Sequence, residues 1–222
     1  MSYIEIDGRK IGRDFRPYIL AELSANHNGV LRKALDTITA AKKCGADGIK
    51  LQTYSADTMT IDCDTDDFII KDGLWKGYQL YDLYKKAQTP FAWHKAMFEH
   101  ARSIDITCFS TPFDETAVDL LEDMNVPAYK IASFEATDLP LIKYVASTKK
   151  PMILSTGMAN FAEITEMVAA AREGGCEDLI VLHCLSSYPA PIEQSNLLTI
   201  NDMREKLGVQ IGLSDHTQTN TT

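Results

Sequence analysis

Polar residues suited to binding a phosphate group recur along this sequence, each close to the end of a short apolar run. Two are lysines, Lys50 and Lys130, and the others carry hydroxyl groups: Thr111, Ser133, Ser155 and Ser214. An ammonium group supplies positive charge, and hydroxyl groups supply directed hydrogen-bond donors. Each hydroxyl taken alone is more typical of a cap at a strand end. The recurrence of lysines and hydroxyl groups at five apolar runs favours one shared phosphate-binding site.

Two carboxylates and one histidine lie at similar places. Glu22 lies at the end of the first run, Glu135 follows the fourth, and His216 follows the seventh. Either carboxylate could orient a sugar hydroxyl or exchange a proton, and the alternative is that each only neutralises a neighbouring lysine. His216 could ligate a metal through a neutral imidazole nitrogen, although a lone histidine also suits a hydrogen-bonding role.

The other four histidines give weaker signals. His27 lies among small polar residues after the first run, and it could contact a substrate or a residue that binds one. We predict that His94 and His100, in a helical stretch, are solvated surface residues. His183 lies inside an apolar run, and we predict that it is a hydrogen-bonded core residue.

Seven apolar runs rich in β-branched residues predict the strands that position these groups. They span residues 18–23, 48–53, 106–110, 128–132, 152–155, 179–184 and 209–213. Runs that are apolar throughout indicate burial on both faces, and the helical patterns between them indicate βαβ units with a parallel sheet. Alternation along a strand places Lys50 and Gln52 on one side, and likewise Glu22 and Ser24.

The predicted fold is a (β/α)8 TIM barrel that is truncated after the seventh strand. A closed barrel of this type has eight strands, and an open sheet would expose its edges, so we expect a fragment of a longer protein. A doubly wound sheet is the alternative. Polar residues stand at the end of every predicted strand, which favours a barrel, whose site is surrounded by the loops after all its strands. A doubly wound sheet binds its ligand at one point, where the strand order reverses. Residues 3–6 and 9–11 around Asp7-Gly8 predict a short N-terminal β-hairpin.

The longest connection, residues 54–90, separates the second and third predicted strands and is rich in aromatic and acidic residues. It begins at the carboxyl end of a strand, so it could fold over the site as a lid. The alternative is a surface excursion that packs on itself or on another subunit.

Composition excludes several classes of function. The formal net charge of −9 leaves no broad positive field for nucleic acid or anionic lipid. The N-terminus does not resemble a signal peptide, and no apolar run approaches the roughly 20 residues that span a bilayer. The five cysteines are scattered without CxxC spacing, which is typical of a reduced, cytoplasmic setting.

Ordered motifs along the whole chain resemble the sialic acid synthase family. They are AELSANHNG at 21–29, IKLQT at 49–53, FSTPFD at 109–114, YKIASFE at 129–135, LSTGM at 154–158, LHCLSSYP at 182–189 and GLSDHT at 212–217. The stretch GLWKGYQLYDLYKKAQTPFAWH at 73–94 is more similar to pseudaminic acid synthases than to N-acetylneuraminate synthases.

This resemblance implies a transferase that condenses phosphoenolpyruvate with an open-chain N-acetylated amino sugar. For a pseudaminic acid synthase the sugar is a 2,4-diacetamido-2,4,6-trideoxy hexose, and the products are pseudaminic acid and phosphate. N-acetylneuraminate or another nonulosonic acid is the alternative product. The resemblance also implies a divalent metal, Mn²⁺ or Mg²⁺, that polarises the sugar aldehyde, and a homodimer in the full-length protein.

Family roles carry over to positions that match the motifs. The phosphoenolpyruvate site corresponds to Lys50, Thr111, Lys130, Ser133, Ser155 and Ser214. The sugar and reaction centre correspond to Glu22, Gln52, Glu135 and Tyr188. Catalytic roles are implied for Glu22, Glu135 and His216, with His216 also matching one of two metal-binding histidines. Ser186 stands where the family has an asparagine.

Two parts of the family pattern do not occur in these 222 residues, namely the eighth strand with the second metal-binding histidine and the C-terminal antifreeze-like domain. We therefore expect residues 1–222 to form an incomplete phosphoenolpyruvate-binding barrel domain that is inactive, or nearly so, alone. Two other classes stay open. One is a Schiff-base aldolase with Lys50 or Lys130 as nucleophile, and the other is a non-catalytic fragment that binds a sugar phosphate.

Overall fold

The structure, a computed structural model, describes residues 3–218 as nine strands, eight α-helices and three short 3₁₀ helices. The strands are β1 (Ile4–Ile6), β2 (Arg9–Ile11), β3 (Leu20–Glu22), β4 (Gly48–Thr53), β5 (Thr107–Pro112), β6 (Tyr129–Ile131), β7 (Met152–Ser155), β8 (Leu179–Cys184) and β9 (Gln210–Ser214). The α-helices are α1 (Leu31–Lys43), α2 (Ala56–Met59), α3 (Leu80–Ala87), α4 (Phe91–Ser103), α5 (Glu115–Asp123), α6 (Leu139–Ser147), α7 (Phe161–Glu173) and α8 (Thr199–Leu207). The 3₁₀ helices are Asp66–Phe68, Ser133–Glu135 and Ile192–Gln194.

Strands β3 to β9 correspond to the seven predicted strands, and their order in the sheet follows the chain. A doubly wound sheet would reverse its strand order at a switch point. The observed order is that of a (β/α) barrel with seven of its eight strands, which confirms the predicted fold class. Strands β4, β7 and β8 have the predicted bounds, and the ends of the others differ by one or two residues.

The predicted N-terminal hairpin is confirmed. Strand β1 pairs with β2 in antiparallel register, with Ile6 opposite Arg9. Asp7 and Gly8 form the two-residue connection, and both have positive φ angles, 50° and 76°. Asp and Gly tolerate this backbone region better than other residues, so the Asp-Gly pair determines where the chain turns.

The chain divides into two compact units. The first, here named the β3–β5 unit, spans Tyr18–Val126. Within it β4 pairs in parallel with both β3 and β5, and α1 and α4 pack against each other. Ala34 and Ile38, four residues apart, lie on the buried side of α1, and Met97 and Phe98 are buried on α4. These apolar side chains form the core beside the buried strand β4.

The second, here named the β6–β9 unit, comprises residues 3–17 and 127–218 of the described chain. Strands β6 to β9 pair in parallel, and α6 packs against α7. Two side-chain caps determine where these helices begin, because each supplies acceptors for backbone amides of the first turn. Asp138 accepts from Leu141 N at the start of α6, and Asn160 accepts from Ala162 N and Glu163 N at the start of α7.

Residues 54–90 contain α2, the first 3₁₀ helix and α3, and they lie entirely within the β3–β5 unit. Tyr54 is buried, and its ring meets those of Tyr84 and Phe113 edge to face at 6.0 and 5.3 Å. Gln79 donates to Cys63 O at 2.7 Å, which closes the middle of the segment on itself. These contacts agree with the predicted excursion that packs on itself. In the described part of the chain, no helix combines the length and apolar character that a bilayer requires.

Candidate functional site

Lys50 lies in the middle of β4 and is only 7% exposed. Its ammonium group forms an ion pair with Glu22 and donates to Thr111 Oγ1 at 3.2 Å. Parallel register explains the pair, because Glu22 at the end of β3 lies opposite Lys50. Burial of an ammonium group is costly without such partners, so Glu22 does neutralise this lysine, as one predicted alternative had it.

Ser24 and Gln52 complete this first cluster. Ser24 N donates to Glu22 Oε1 at 3.0 Å, and Ser24 Oγ lies 3.4 Å from Gln52 Oε1. Lys50 and Gln52 each reach a partner in the segment that begins at Glu22, which agrees with the predicted alternation along β4. Ser24 lies beyond the end of β3 and has a φ of 48°, so alternation along that strand does not determine its position. Five sequence-predicted side chains of the β3–β5 unit, including Thr111, lie in contact.

Lys130 lies in the middle of β6 in the β6–β9 unit and is 8% exposed. The strand ends at Ile131, and Ser133 begins a 3₁₀ helix, so the chain turns between Lys130 and Ser133 as predicted. Ser133 Oγ accepts a hydrogen bond from Gly157 N at 3.1 Å, which joins the loops that follow β6 and β7. Lys130 interacts electrostatically with both Glu135 and His216.

Ser155 Oγ and Glu135 Oε2 are among the buried polar atoms of this unit that have no hydrogen-bond partner in the described part of the chain. Ser155 ends β7 and is 0% exposed. Buried hydroxyl and carboxyl groups are nearly always hydrogen-bonded in proteins, and an unpaired one costs about 1–3 kcal/mol. Such atoms are free to hydrogen-bond with an ordered water or with a bound molecule.

Glu135 also has an unusual acidity. Burial raises its pKa to about 7, against a smaller opposing effect of its own backbone amide and of Lys130. A carboxyl group with this pKa can both hold and release a proton near neutral pH. Perturbed groups of this kind are typical of sites that transfer protons.

His216 follows β9 and lies beside Cys184, the last residue of β8. Its Nδ1 is 3.0 Å from Leu185 O and 3.9 Å from Cys184 Sγ. The hydrogen bond with Cys184 raises the pKa of His216. Burial by itself would raise the pKa of Cys184, but hydrogen bonds with His216, Ser133 and Ser214 lower it to about 7.

Sequence reasoning did not single out Cys184 as a site residue. Its place at the end of β8, equivalent to that of Ser155 on β7 and Ser214 on β9, was the available signal. Cys184 lies opposite Ser214 in the parallel register. The residue therefore joins the predicted members Ser133, Ser214 and His216 in one cluster.

The loop after β8 contributes Tyr188 and Ser186. The Tyr188 ring lies 4.5 Å from that of His216 and is half exposed, and Ser186 Oγ lies 3.8 Å from Cys184 Sγ. A Cβ atom on Gly157 would overlap Ser186 Oγ and approach Cys184 Sγ to 3.0 Å. Glycine is thus required for the loop after β7 to pass this closely.

The metal-binding role of His216 stays a prediction. Among residues 3–218, no three His, Cys, Asp or Glu side chains are grouped to hold a metal ion. His216 itself suits the role of one ligand, because Leu185 O can only accept and so places the ring proton on Nδ1. The lone pair then lies on Nε2, the nitrogen that a metal would bind. A complete ligand set does not lie within the described residues.

The remaining histidines differ from expectation in part. His94 is fully buried, so its predicted solvation is wrong, and His100 is half-buried with Nε2 at 2.8 Å from Thr39 Oγ1. Helical periodicity did not reveal which face of α4 is covered. His183 is hydrogen-bonded to Ser195 O at 2.7 Å as predicted, but it is half-buried rather than in the core. His27 is fully buried, and burial lowers its pKa.

Solved structures share this architecture. The N-acetylneuraminic acid synthetase of Leptospira borgpetersenii matches with a TM-score of 0.87 and 29% identity over 99% of this chain and 72% of that chain. The spore coat polysaccharide biosynthesis protein SpsE of Bacillus subtilis matches with a TM-score of 0.83 and 33% identity over 98% of this chain and 57% of that chain. The fold and the polar strand ends define a barrel of the sialic acid synthase class.

A family model described as the NeuB family matches residues 37–222, and the chain belongs to this family. It is 48% identical to the pseudaminic acid synthase of Campylobacter jejuni serotype O:2 over 91% of this chain. It is 48% identical to that of Helicobacter pylori over 90% of this chain. The chain spans 59% of the length of each of these relatives.

Proposed function

We propose that this chain forms the phosphoenolpyruvate-binding part of a nonulosonic acid synthase. The observation that carries the proposal is the pair of unpartnered buried atoms, Ser155 Oγ and Glu135 Oε2, in a unit that also buries Lys130. A phosphate or carboxylate oxygen would accept the Ser155 hydroxyl proton, and the lysine would balance the negative charge. The names of the NeuB relatives agree with this chemistry.

In the proposed reaction, C3 of phosphoenolpyruvate bonds to the aldehyde carbon of an open-chain amino sugar. Water adds at C2, and cleavage of the C–O bond releases phosphate. We assign phosphoenolpyruvate binding to the two lysines and the hydroxyl groups predicted from the sequence: Lys50, Thr111, Lys130, Ser133, Ser155 and Ser214. Gln52 and Tyr188 would contact the sugar, and Glu22 would orient Lys50 as well as a sugar hydroxyl.

Glu135 is the residue that we propose for proton transfer. Its pKa of about 7 allows the protonated form to donate to the developing alkoxide or to the departing phosphate. The same carboxyl group, once ionised, can accept a proton from the attacking water. Burial is the cause of this pKa, so the role depends on the apolar surroundings rather than on a partner residue.

We also keep the divalent metal, Mn²⁺ or Mg²⁺, as a proposal with His216 as one ligand through Nε2. When bound, such an ion would supply Lewis-acid polarisation of the sugar aldehyde. Leu185 O holds the ring in the tautomer that leaves Nε2 free to bind. Tyr188, which packs on the same ring, would limit rotation of the imidazole.

Pseudaminic acid is the product that we favour. Identity is 48% to pseudaminic acid synthases and 35% to the N,N'-diacetyllegionaminic acid synthase of C. jejuni. The test is the mass of the product that the full-length protein forms from phosphoenolpyruvate and each candidate sugar, in which 2,4-diacetamido-2,4,6-trideoxy hexose should give a nonulosonic acid and phosphate. Turnover only with N-acetylmannosamine would instead assign the product as N-acetylneuraminate. The homodimer and the cytoplasmic setting stay predictions.

Calorimetric titration of this chain with phosphoenolpyruvate tests the binding assignment directly. Lys50→Met and Lys130→Met should each weaken binding by at least about tenfold, because each removes a charge-assisted contact. Lys143→Met is the matched control, since Lys143 is a half-exposed lysine that pairs with Glu173 at 2.8 Å on the helical surface. Equal affinity in all four proteins would contradict the assignment.

Borohydride trapping separates the synthase from a Schiff-base aldolase. Lys50 forms an ion pair with Glu22, whereas a Schiff-base nucleophile needs a free amine lone pair. We therefore expect no covalent adduct after incubation with pyruvate and borohydride. A stable adduct on Lys50 or Lys130 would favour the aldolase.

A further inference from the structure

A chain of hydrogen bonds runs through the buried interior of the β3–β5 unit, on the side of β4 and β5 opposite to Lys50 and Thr111. Ser110 Oγ lies 2.6 Å from Thr53 Oγ1, and Thr53 Oγ1 lies 2.8 Å from His94 Nε2. His94 Nδ1 lies 3.3 Å from Pro90 O. All three side chains are fully buried.

The donor and the acceptor of each hydrogen bond in this series follow from its last member, Pro90 O. Pro90 O is a carbonyl and can only accept, so Nδ1 of His94 carries the proton. Burial lowers the pKa of His94, so the ring is neutral and its Nε2 presents a lone pair. Thr53 must then donate to Nε2, and Ser110 must donate to Thr53. Each of these hydrogen bonds has both a donor and an acceptor only if all of them run in this one direction.

This series of hydrogen bonds joins the two ends of residues 54–90. Thr53 immediately precedes the segment, Pro90 is its last residue, and the His94 ring connects them through its two nitrogens. A second contact supports the closure, because Gln88 Oε1 accepts from Ala56 N at 3.0 Å. Hydrogen bonds of side chains, rather than pairing of strands within the segment, therefore hold the two ends of residues 54–90 together.

Two proposed substrate-binding residues are direct neighbours of members of this series of hydrogen bonds. Thr53 follows Gln52 directly on β4, and Ser110 precedes Thr111 directly on β5. Successive residues of a strand point to opposite sides, so a hydroxyl held on one side limits the motion of its neighbour on the other. The register pairs Gln52 with Thr111 across the two strands.

We propose that His94 is a positioning residue that clamps the base of residues 54–90 and, through Thr53 and Ser110, holds Gln52 and Thr111 in their binding arrangement. The part concerning Gln52 and Thr111 rests on the proposed phosphoenolpyruvate site. The clamp itself does not, because it is defined by contacts among buried residues alone. His94 touches no proposed substrate group, so its effect is transmitted through the two strands.

The tautomer of His94 gives the first test. In nitrogen NMR spectra of the ¹⁵N-histidine-labelled chain, His94 should be neutral and protonated on Nδ1. His27 is an internal reference of the opposite kind, because Gly29 N donates to its Nδ1 at 3.0 Å and leaves the proton on Nε2. Its Nε2 lies 3.3 Å from Thr89 Oγ1. A His94 ring protonated on Nε2 would overturn the proposed direction and with it the clamp.

Variants of Thr53 give the second test. Thr53→Val keeps the shape but removes the hydroxyl, whereas Thr53→Ser keeps the hydroxyl. We expect Thr53→Val to increase amide exchange at both ends of residues 54–90 and to weaken phosphoenolpyruvate binding severalfold, and Thr53→Ser to restore both. Thr39→Val is the matched control, since Thr39 Oγ1 also lies 2.8 Å from a histidine, His100 Nε2, away from β4 and β5.

The outcomes distinguish this inference from the proposed function. Equal amide exchange in Thr53→Val and Thr53→Ser would show that packing alone matters and would overturn the clamp. Faster exchange in Thr53→Val, in a chain whose wild type does not bind phosphoenolpyruvate, would support the clamp and contradict the proposed function. If Thr53→Val does not fold, the tautomer measured in the wild-type chain still decides the question.

Discussion

The two polar clusters of this protein differ in how many of their buried polar groups have hydrogen-bond partners within the cluster. In the β3–β5 unit, Lys50 is paired with Glu22 and Thr111, and the Thr53 hydroxyl has partners on both sides. In the β6–β9 unit, Ser155 Oγ and Glu135 Oε2 are buried without hydrogen bonds among the described residues. The first cluster is organised by its own side chains, whereas the second leaves two buried groups open to a further hydrogen-bond partner. Sites of chemistry commonly carry such unsatisfied groups.

Two equally buried cysteines give the largest expected contrast between the units. Cys108 is 6% exposed and Cys184 is 7% exposed. Burial strongly raises the pKa of Cys108, whereas hydrogen bonds, chiefly with His216, outweigh the effect of burial and lower that of Cys184 to about 7. Because the thiolate is the reactive form, Cys184 should be alkylated faster at pH 8, by on the order of a hundredfold. Peptide mass spectrometry after timed iodoacetamide treatment measures both rates, and similar rates would remove the contrast.

Glu135 gives the next largest effect, as a dependence of stability on pH. Its pKa rises from 4.5 to about 7 on folding, so the folded state holds this proton more tightly than the unfolded state. The ionised form therefore destabilises the fold above pH 7, and that cost disappears as the pH falls through 7 toward 4.5. Glu135→Gln should raise the free energy of unfolding by up to about 3 kcal/mol at pH 8 and by little at pH 4.5.

Urea denaturation of wild type and Glu135→Gln at both pH values checks this prediction. Glu163→Gln is a suitable control, because that side chain is only partly buried and its partner is the backbone amide of Asn160, which an amide oxygen can also accept from. A stability gain for Glu135→Gln that is the same at both pH values would show that burial does not perturb Glu135.

One substitution made in both units should have opposite consequences. Ser110 and Ser155 are both 0% exposed, but Ser110 donates within a complete chain and Ser155 Oγ has no partner in the described structure. Ser110→Ala should lower the free energy of unfolding by about 2 kcal/mol, because it leaves Thr53 without a donor. Ser155→Ala should leave the ligand-free chain as stable or slightly more stable, while weakening phosphoenolpyruvate binding.

Denaturation curves of the two variants, measured without ligand, test the comparison directly. Equal losses of stability would show that Ser155 has a partner that the clusters do not reveal. If neither variant changed the free energy of unfolding, the Ser110–Thr53 hydrogen bond would contribute nothing to stability. That result would weaken the proposed clamp as well.

The smallest expected effect concerns Gly157, where the second cluster is most tightly packed. Gly157→Ala places a methyl group against Ser186 Oγ and should destabilise the chain by about 1–2 kcal/mol. Ser186→Ala in the same chain removes the obstructing oxygen and should recover part of the loss. Thermal melts of the single and double variants measure this coupling, and additive effects would show that the two residues do not meet.

Much of the fold was predictable because hydrophobic patterning and turn preferences are local properties of a chain. The bounds of β4, β7 and β8 followed from apolar runs, and the hairpin turn followed from Asp7-Gly8. The contacts of Lys50 with Glu22 and Thr111 were also anticipated, since parallel strands bring their carboxyl ends to one edge of a sheet. The sequence by itself therefore determined the elements, their order and most of the candidate site residues.

Only the tertiary structure decided the environments of those residues. Helical spacing could not show that His94 lies on the covered face of α4, or that its ring connects Thr53 with Pro90. The pKa of Glu135 near 7 and the contact of Cys184 with His216 likewise depend on burial and on neighbours distant in the chain. Desolvation and hydrogen bonding act between groups that packing brings together, and no local pattern in the sequence specifies those groups.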